Sequence, residues 1–219
     1  MDIARLDNLL LELTDSERAY CAGARYDWND AFRQGQQADI DGRHVRKIGN
    51  AAYALHQEGM PEGLSIVRNS RFNPVPEHVH DYVEISYVYR GSAPQVVNGT
   101  QLTLAQNEVL LLDAACPHAV GELGEHDLML SIVISRPMLR RSLEQSLSST
   151  SAVSQFLLNA LNDETDHRGH VHFRTGASRR VRRYIQEMLC ELLEPTAASA
   201  QIVSRLFELL LVELMQSLS

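Results

Sequence analysis

The sequence predicts an α+β protein, with N-terminal helices, a central antiparallel β-barrel or sandwich, and a helical C-terminal third. Three observations carry that expectation. Between Leu64 and Ile134 lie short segments rich in β-branched and aromatic residues, each closed by turn residues. Helical spacing of apolar residues governs the stretches on either side. No helical piece long enough for a parallel βαβ crossover interrupts the strands, which leaves an antiparallel arrangement.

Composition narrows the class. At 219 residues with 44% apolar content, one domain or one domain with an appendage is expected, and a disordered chain is excluded. The formal net charge of -8 argues against a surface that itself clamps nucleic acid. No run approaches the ~18–20 consecutive apolar residues of a membrane span. The start, MDIARLDNLLLELTDSE, sets acids among its leucines without a basic leader region, so no secretory signal is visible. Cys21, Cys116 and Cys190 are odd in number and far apart, which suits a reducing compartment. A cytoplasmic protein is expected.

Taken in order, Leu6, Leu9, Leu10 and Leu13 recur at helical spacing, and Thr14 with Glu17 forms a capping-box pattern for a second short helix. Residues 24–62 carry weak signals. Arg46–Glu58 fits a helix carrying Ile48, Ala52 and Leu55, closed by Gly59. Seven strands are then expected in LSIVR, YVEISYVYR, PQVVN, TQLTLA, EVLLLD, HAVGEL and LMLSIVIS, with Asn98-Gly99 as a type I′ hairpin turn. Beyond Pro137, helices are expected on Met138, Leu139, Leu143 and Leu147, then on Val153, Phe156, Leu157 and Leu161. A polar loop follows over Asp163–His172, and a longer helix carries Val181, Ile185, Met188 and Leu192. The last segment, Ile202–Leu218, is apolar nearly all round, so it should be buried on every side, most simply against a second subunit. Its pattern is still running at Ser219, as if the sequence were part of a longer chain. The expected divisions are 1–62 (helical), 63–135 (β-barrel) and 136–219 (helical).

One stretch, HVHDYVEISYVYRG, concentrates the chemistry. On a strand, alternate side chains share a face, so His78, His80, Tyr82, Glu84 and Ser86 should line one wall. His118, after Pro117 at the end of EVLLLD, can join them. Imidazoles and a carboxylate are costly to bury without a partner, so a pocket is implied. His78, His80, Glu84 and His118 are a plausible ligand set for Fe, Mn, Ni or Zn. Equally, they could line a polar ligand pocket with no metal.

These same residues carry a family resemblance. HVHDYVEISYVYRGS, followed by VVNGTQLTLAQNEVLLLDAACPHAV, resembles the two motifs of the cupin barrel. In detail it is similar to the N-terminal sensing domain of AraC/XylS-type transcription regulators. The matching positions are His78, His80, Glu84, Gly91, Asn98-Gly99, Asn107-Glu108 and Pro117-His118, and SQFLLNALN and IQEMLCELLEP extend the likeness over residues 64–219. Asn107 stands where a glycine is usual, a departure that Asn tolerates because it can adopt positive φ.

The resemblance implies a jelly-roll barrel that binds a small polar effector, a sugar foremost, and catalyses nothing. It further implies a homodimer through the C-terminal helices, with DNA bound only by a helix-turn-helix domain expected beyond residue 219. A divalent metal remains an option, without a catalytic role. The rival is a metal-dependent cupin enzyme, a dioxygenase or sugar isomerase using His78, His80, Glu84 and His118 as ligands.

Other constellations favour plainer accounts. Arg179, Arg180, Arg182 and Arg183 read better as the solvated first turn of an amphipathic helix than as a nucleic-acid patch. His167, His170 and His172 read as a surface loop rather than a metal site, and Cys116 as a small strand-end residue rather than a nucleophile.

Overall fold

Two capped helices open the chain. The computed structural model describes residues 1–25, 37–40, 43–48, 59–146, 152–162 and 166–217. Helix α1 (Ile3–Leu11) starts at Asp2, whose carboxylate accepts from the Arg5 N–H at 2.8 Å. Helix α2 (Asp15–Cys21) carries the expected capping box. Thr14 Oγ1 accepts from the Glu17 N–H, and the Glu17 carboxylate accepts from the Thr14 N–H.

Next come two strands that local signals did not announce, β1 (Gln37–Ile40) and β2 (Arg43–Ile48). The expected helix over Arg46–Glu58 therefore does not begin at Arg46. Instead Arg46, Lys47 and Ile48 pair in parallel with His78, Val79 and His80 of β4 (Val75–His80). That partner lies some thirty residues away, so a helical period read locally could not compete with it. The remainder of the expected helix, 49–58, lies outside the described residues.

All seven expected segments hold strands: β3 (Leu64–Arg68), β5 (Val83–Arg90), β6 (Ser92–Val97), β7 (Thr100–Ala105), β8 (Val109–Leu112), β9 (His118–Val120) and β10 (Leu128–Ile134). A further strand, β11 (His170–Phe173), arises within the supposed polar loop, because Val171 and Phe173 let the chain add to the edge of β8. The strands make two sheets, ordered β1-β2-β4-β9-β6-β7 and β11-β8-β5-β10-β3. Strands from both flanking segments thus join the sheets formed by 63–135. Asn98 and Gly99 both have positive φ (49° and 75°), as the type I′ hairpin requires, and Asn107 also lies there at 66°.

In LMLSIVI every residue of β10 is buried, and β5 is buried up to Tyr89. Strands covered on both faces lose the alternation of half-exposed ones. The inward faces meet in one apolar cluster that includes Val88, Val97, Leu104, Leu110, Leu112 and Met129. The outward faces, through Ile85, Tyr87, Leu130 and Ile132, pack on the helices.

Those helices are α3 (Arg136–Ser146), α4 (Ala152–Ala160), α5 (Arg179–Leu193) and α6 (Ser199–Gln216). Leu147, expected on the first of them, lies outside the described residues. Within the single chain α6 is covered on one face and not all round. Val203, Phe207, Leu210, Leu211 and Leu214 face the core, whereas Ile202 is 39% and Leu209 47% exposed. Among the described residues no helix is long and apolar enough to cross a membrane.

Candidate functional site

The predicted site residues do come together, but not along one strand. After His80 the chain bends at Asp81-Tyr82 and crosses from the six-stranded to the five-stranded sheet. His78 and His80 therefore project inward from β4, and Glu84 and Ser86 from β5 opposite. This corrects the single-wall expectation: the alternation holds within each strand, and the bend turns one wall into two. His118 on β9 lies directly beside His78 in the ladder. The rings of His78 and His118 are 4.2 Å apart, and those of His80 and His118 5.0 Å. Tyr82, fully buried in the bend, stacks on His80 at 4.0 Å and 12°, holding that ring in place.

Hydrogen bonding sets the tautomers. His78 Nδ1 lies 2.9 Å from the Pro76 carbonyl, and His118 Nδ1 3.0 Å from that of Cys116. A carbonyl only accepts, so Nδ1 carries the proton in both rings and Nε2 keeps its lone pair. His118 Nε2 is 3.9 Å and His80 Nε2 3.4 Å from Glu84 Oε2, while the Ser86 hydroxyl donates to Glu84 Oε1 at 3.0 Å. Neither nitrogen of His80 has a hydrogen bond, although the residue is only 2% exposed.

Burial, reinforced by the neighbouring rings, pushes the His78 imidazole well below its ordinary value. The same cause, then His80, brings His118 down to about 4. Burial alone would raise the Glu84 carboxyl, but His80, His118 and the Ser131 hydroxyl outweigh it and hold the group below the usual carboxylate range. At neutral pH, then, an ionised carboxylate faces the bare lone pair of His118.

Such an arrangement calls for a cation or a hydrogen-bond donor between the groups. Ligand atoms of His80, Glu84 and His118 all lie within 4.8 Å of one another, the one such set of three among the described residues. The backbone bond at His118 Nδ1 is the second contact that a metal-bound imidazole normally makes. These donors fit a divalent transition ion. His78 stands beside the set and outside it.

Reading by motif overlooked several inward polar groups: Ser65, Gln95 and Ser131. Ser131 is the Cα partner of Ser86, and Asn69 Nδ2 donates to its hydroxyl at 2.9 Å. Ser65 Oγ and Gln95 Oε1 are buried without hydrogen-bond partners. A lone polar residue inside an apolar run, as in LMLSIVIS, was the available signal. His167 and His172 do not converge on a common site. His167 Nδ1 meets Asp113 at 3.1 Å and its Nε2 meets Arg136 at 2.7 Å, while His172 Nε2 meets Glu108 at 3.0 Å. Burial, with Asp113, pushes the Cys116 thiol up to about 12, which disfavours the thiolate.

None of the curated proteins compared with the chain matches it. Among solved structures, an apo ToxT variant from Vibrio cholerae strain SCE256 is 15% identical with a TM-score of 0.46, covering 66% of this chain and 52% of that one. Wild-type ToxT from the same strain, bound to an unsaturated fatty acid, is 13% identical at 0.47, covering 71% and 53%. KdgF from Halomonas sp. is 18% identical at 0.32, covering 34% and 72%. The chain thus spans about half the length of the ToxT chains it matches. The AraC-binding-like domain family matches residues 17–216, nearly all of the two sheets and the helices behind them. The chain belongs to this family of AraC-binding-like domains.

Proposed function

We propose that the domain binds a compact polyhydroxylated effector, a sugar, between its two sheets, and that its occupancy controls an attached DNA-binding domain in a cytoplasmic homodimer. One observation carries this reading: the buried, hydrogen-bond-free His80 beside the Glu84 carboxylate. Sugar hydroxyls donate and accept at once, which suits a carboxylate, bare imidazole nitrogens and the hydroxyls of Ser86 and Ser131. Strand β5 offers a route outward. Glu84 and Ser86 face the pocket. Tyr87, one residue on, donates to Asn107 Oδ1 at 2.8 Å, and Arg182 of α5 donates to the same oxygen at 3.1 Å. A ligand that binds one position of β5 better would shift α5 with it.

A thermal-shift screen over aldopentoses and aldohexoses tests the effector. A sugar at 100 times its Kd should stabilise the domain by about 2.7 kcal/mol. The His80→Ala variant should lose that gain. A screen in which no sugar stabilises the wild type more than the variant would sink the proposal.

The three convergent donors support a second reading, in which a divalent ion occupies the site. Protein purified without chelators should then hold near-stoichiometric Fe, Mn, Ni or Zn, and His80→Ala should lose it. Metal absent from the wild type, or retained by the variant, rejects this reading.

The dimer is assigned to α6, where Ile202 and Leu209 form an exposed apolar stripe one helical face away from the buried one. Leu209→Arg is expected to give a monomer at micromolar concentration by analytical ultracentrifugation, with unchanged circular dichroism. A monomeric wild type would overturn this assignment.

A further inference from the structure

We propose that a cleft of 220 Å³ between α1, β5 and α5, outside the barrel, is a second small-molecule site that takes an organic carboxylate with a compact apolar body. Its walls combine two kinds of surface. Leu11, Leu128 and Tyr89 form an apolar floor, and Arg90 and Arg182 border it. Among the described residues neither arginine has an ion-pair partner. Arg182 spends one N–H on Asn107 and lies 5.1 Å over the Tyr89 ring, leaving most of its donor fork unused.

The acid in the cleft, Asp7, is engaged already. It accepts the hydroxyl of Tyr89, which in turn accepts from Gln186 Nε2 at 3.1 Å. Burial, with Asp7, pushes Tyr89 up to about 12, so its hydroxyl stays a neutral donor to Asp7. Two arginines thus line the cleft beside one occupied anion, and a planar carboxylate satisfies guanidinium forks better than any neutral group.

The surroundings favour an anion as well. Arg182 also borders a shallow surface with Arg179, Arg180 and Arg183. Arg180 pairs with Glu213 and Arg183 with Glu187, so these side chains steer an anion rather than hold it. On a chain of net charge -8 this is a local reversal of sign. The small volume and apolar floor suit an organic acid rather than a polyphosphate or nucleic acid. A bound acid would tie β5 to α5, the pair that the barrel effector would also move, and so supply a second input to the same helices.

Calorimetric titration of the full chain with benzoate, and with its neutral isostere benzamide, tests the site. Benzoate should bind saturably and benzamide about tenfold more weakly or worse. Arg90→Gln, an exposed change expected to leave the ligand-free melting temperature unaltered, should weaken benzoate by about tenfold. Arg182→Lys should weaken it as well, because the fork is lost while the charge remains. His80→Ala should leave it intact, which separates this site from the barrel. Equal binding of benzamide, full affinity in Arg90→Gln, loss in His80→Ala alone, or no saturable binding would each overturn the proposal.

Discussion

Replacing Glu17 by alanine is expected to cost about 3–5 kcal/mol of folding stability, because it strands buried arginine charge. Glu17 is fully buried. Its Oε1 accepts from the backbone N–H and Nε of Arg71 at 2.8 and 2.9 Å. Its Oε2 accepts from Arg71 Nη2, Arg68 Nη2 and the Thr14 N–H. Arg71 is only 4% exposed, and carbonyls of Leu11, Glu12 and Glu125 take its other donors. This one carboxylate therefore caps α2 and fastens both N-terminal helices to the start of the barrel.

Acid should reveal the same contact. Burial would raise the Glu17 carboxyl, but the hydrogen bonds from Arg71 and the charge of Arg68 hold it down at about 2, from an ordinary 4.5. A depressed folded-state value means stability that is complete above pH 4.5 and lost as pH falls towards 2. Over that window, the gap between wild type and Glu17→Gln should close. Urea unfolding at pH 7 and at steps down to pH 3 measures both effects. A loss below about 1 kcal/mol at pH 7 would mean that the arginines find other partners.

Glu17 also marks the limit of what the sequence discloses. Its capping role was legible, since Thr14 and Glu17 are three residues apart and the pattern is local. Its bond to Arg71 spans more than fifty residues, and no spacing rule reaches that far. The candidate site follows the same division. His78, His80, Glu84 and His118 stood out because such groups are rare in strands, and they do converge. Their placement on opposing sheets depends on the bend at Asp81-Tyr82, where the chain reads as continuous β-former. Strands β2 and β11 escaped for a related reason: each is short, and each is stabilised by a distant neighbour, β4 or β8. For α6, apolar content pointed to burial, which the single chain supplies on one face. Ile202 and Leu209 stay open, as apolar residues on a surface that a partner covers would.

The second large effect concerns Glu84, whose replacement by glutamine should both weaken the domain and disable its site. At neutral pH the Glu84 carboxylate is ionised and buried. His80, His118 and the Ser131 hydroxyl outweigh burial and hold it below the usual carboxylate range, so its charged form contributes stability, as at Glu17. Glutamine keeps an oxygen for the Ser86 hydroxyl but gives up that charge. A loss of about 1–2 kcal/mol in chemical denaturation at pH 7 is expected. Effector binding should fall by about 10–150-fold, the value of one hydrogen bond to a charged group, and any bound metal should be lost. A variant at least as stable as the wild type would mean that these neighbours do not hold the carboxylate, and unchanged ligand binding would place the site elsewhere between the sheets.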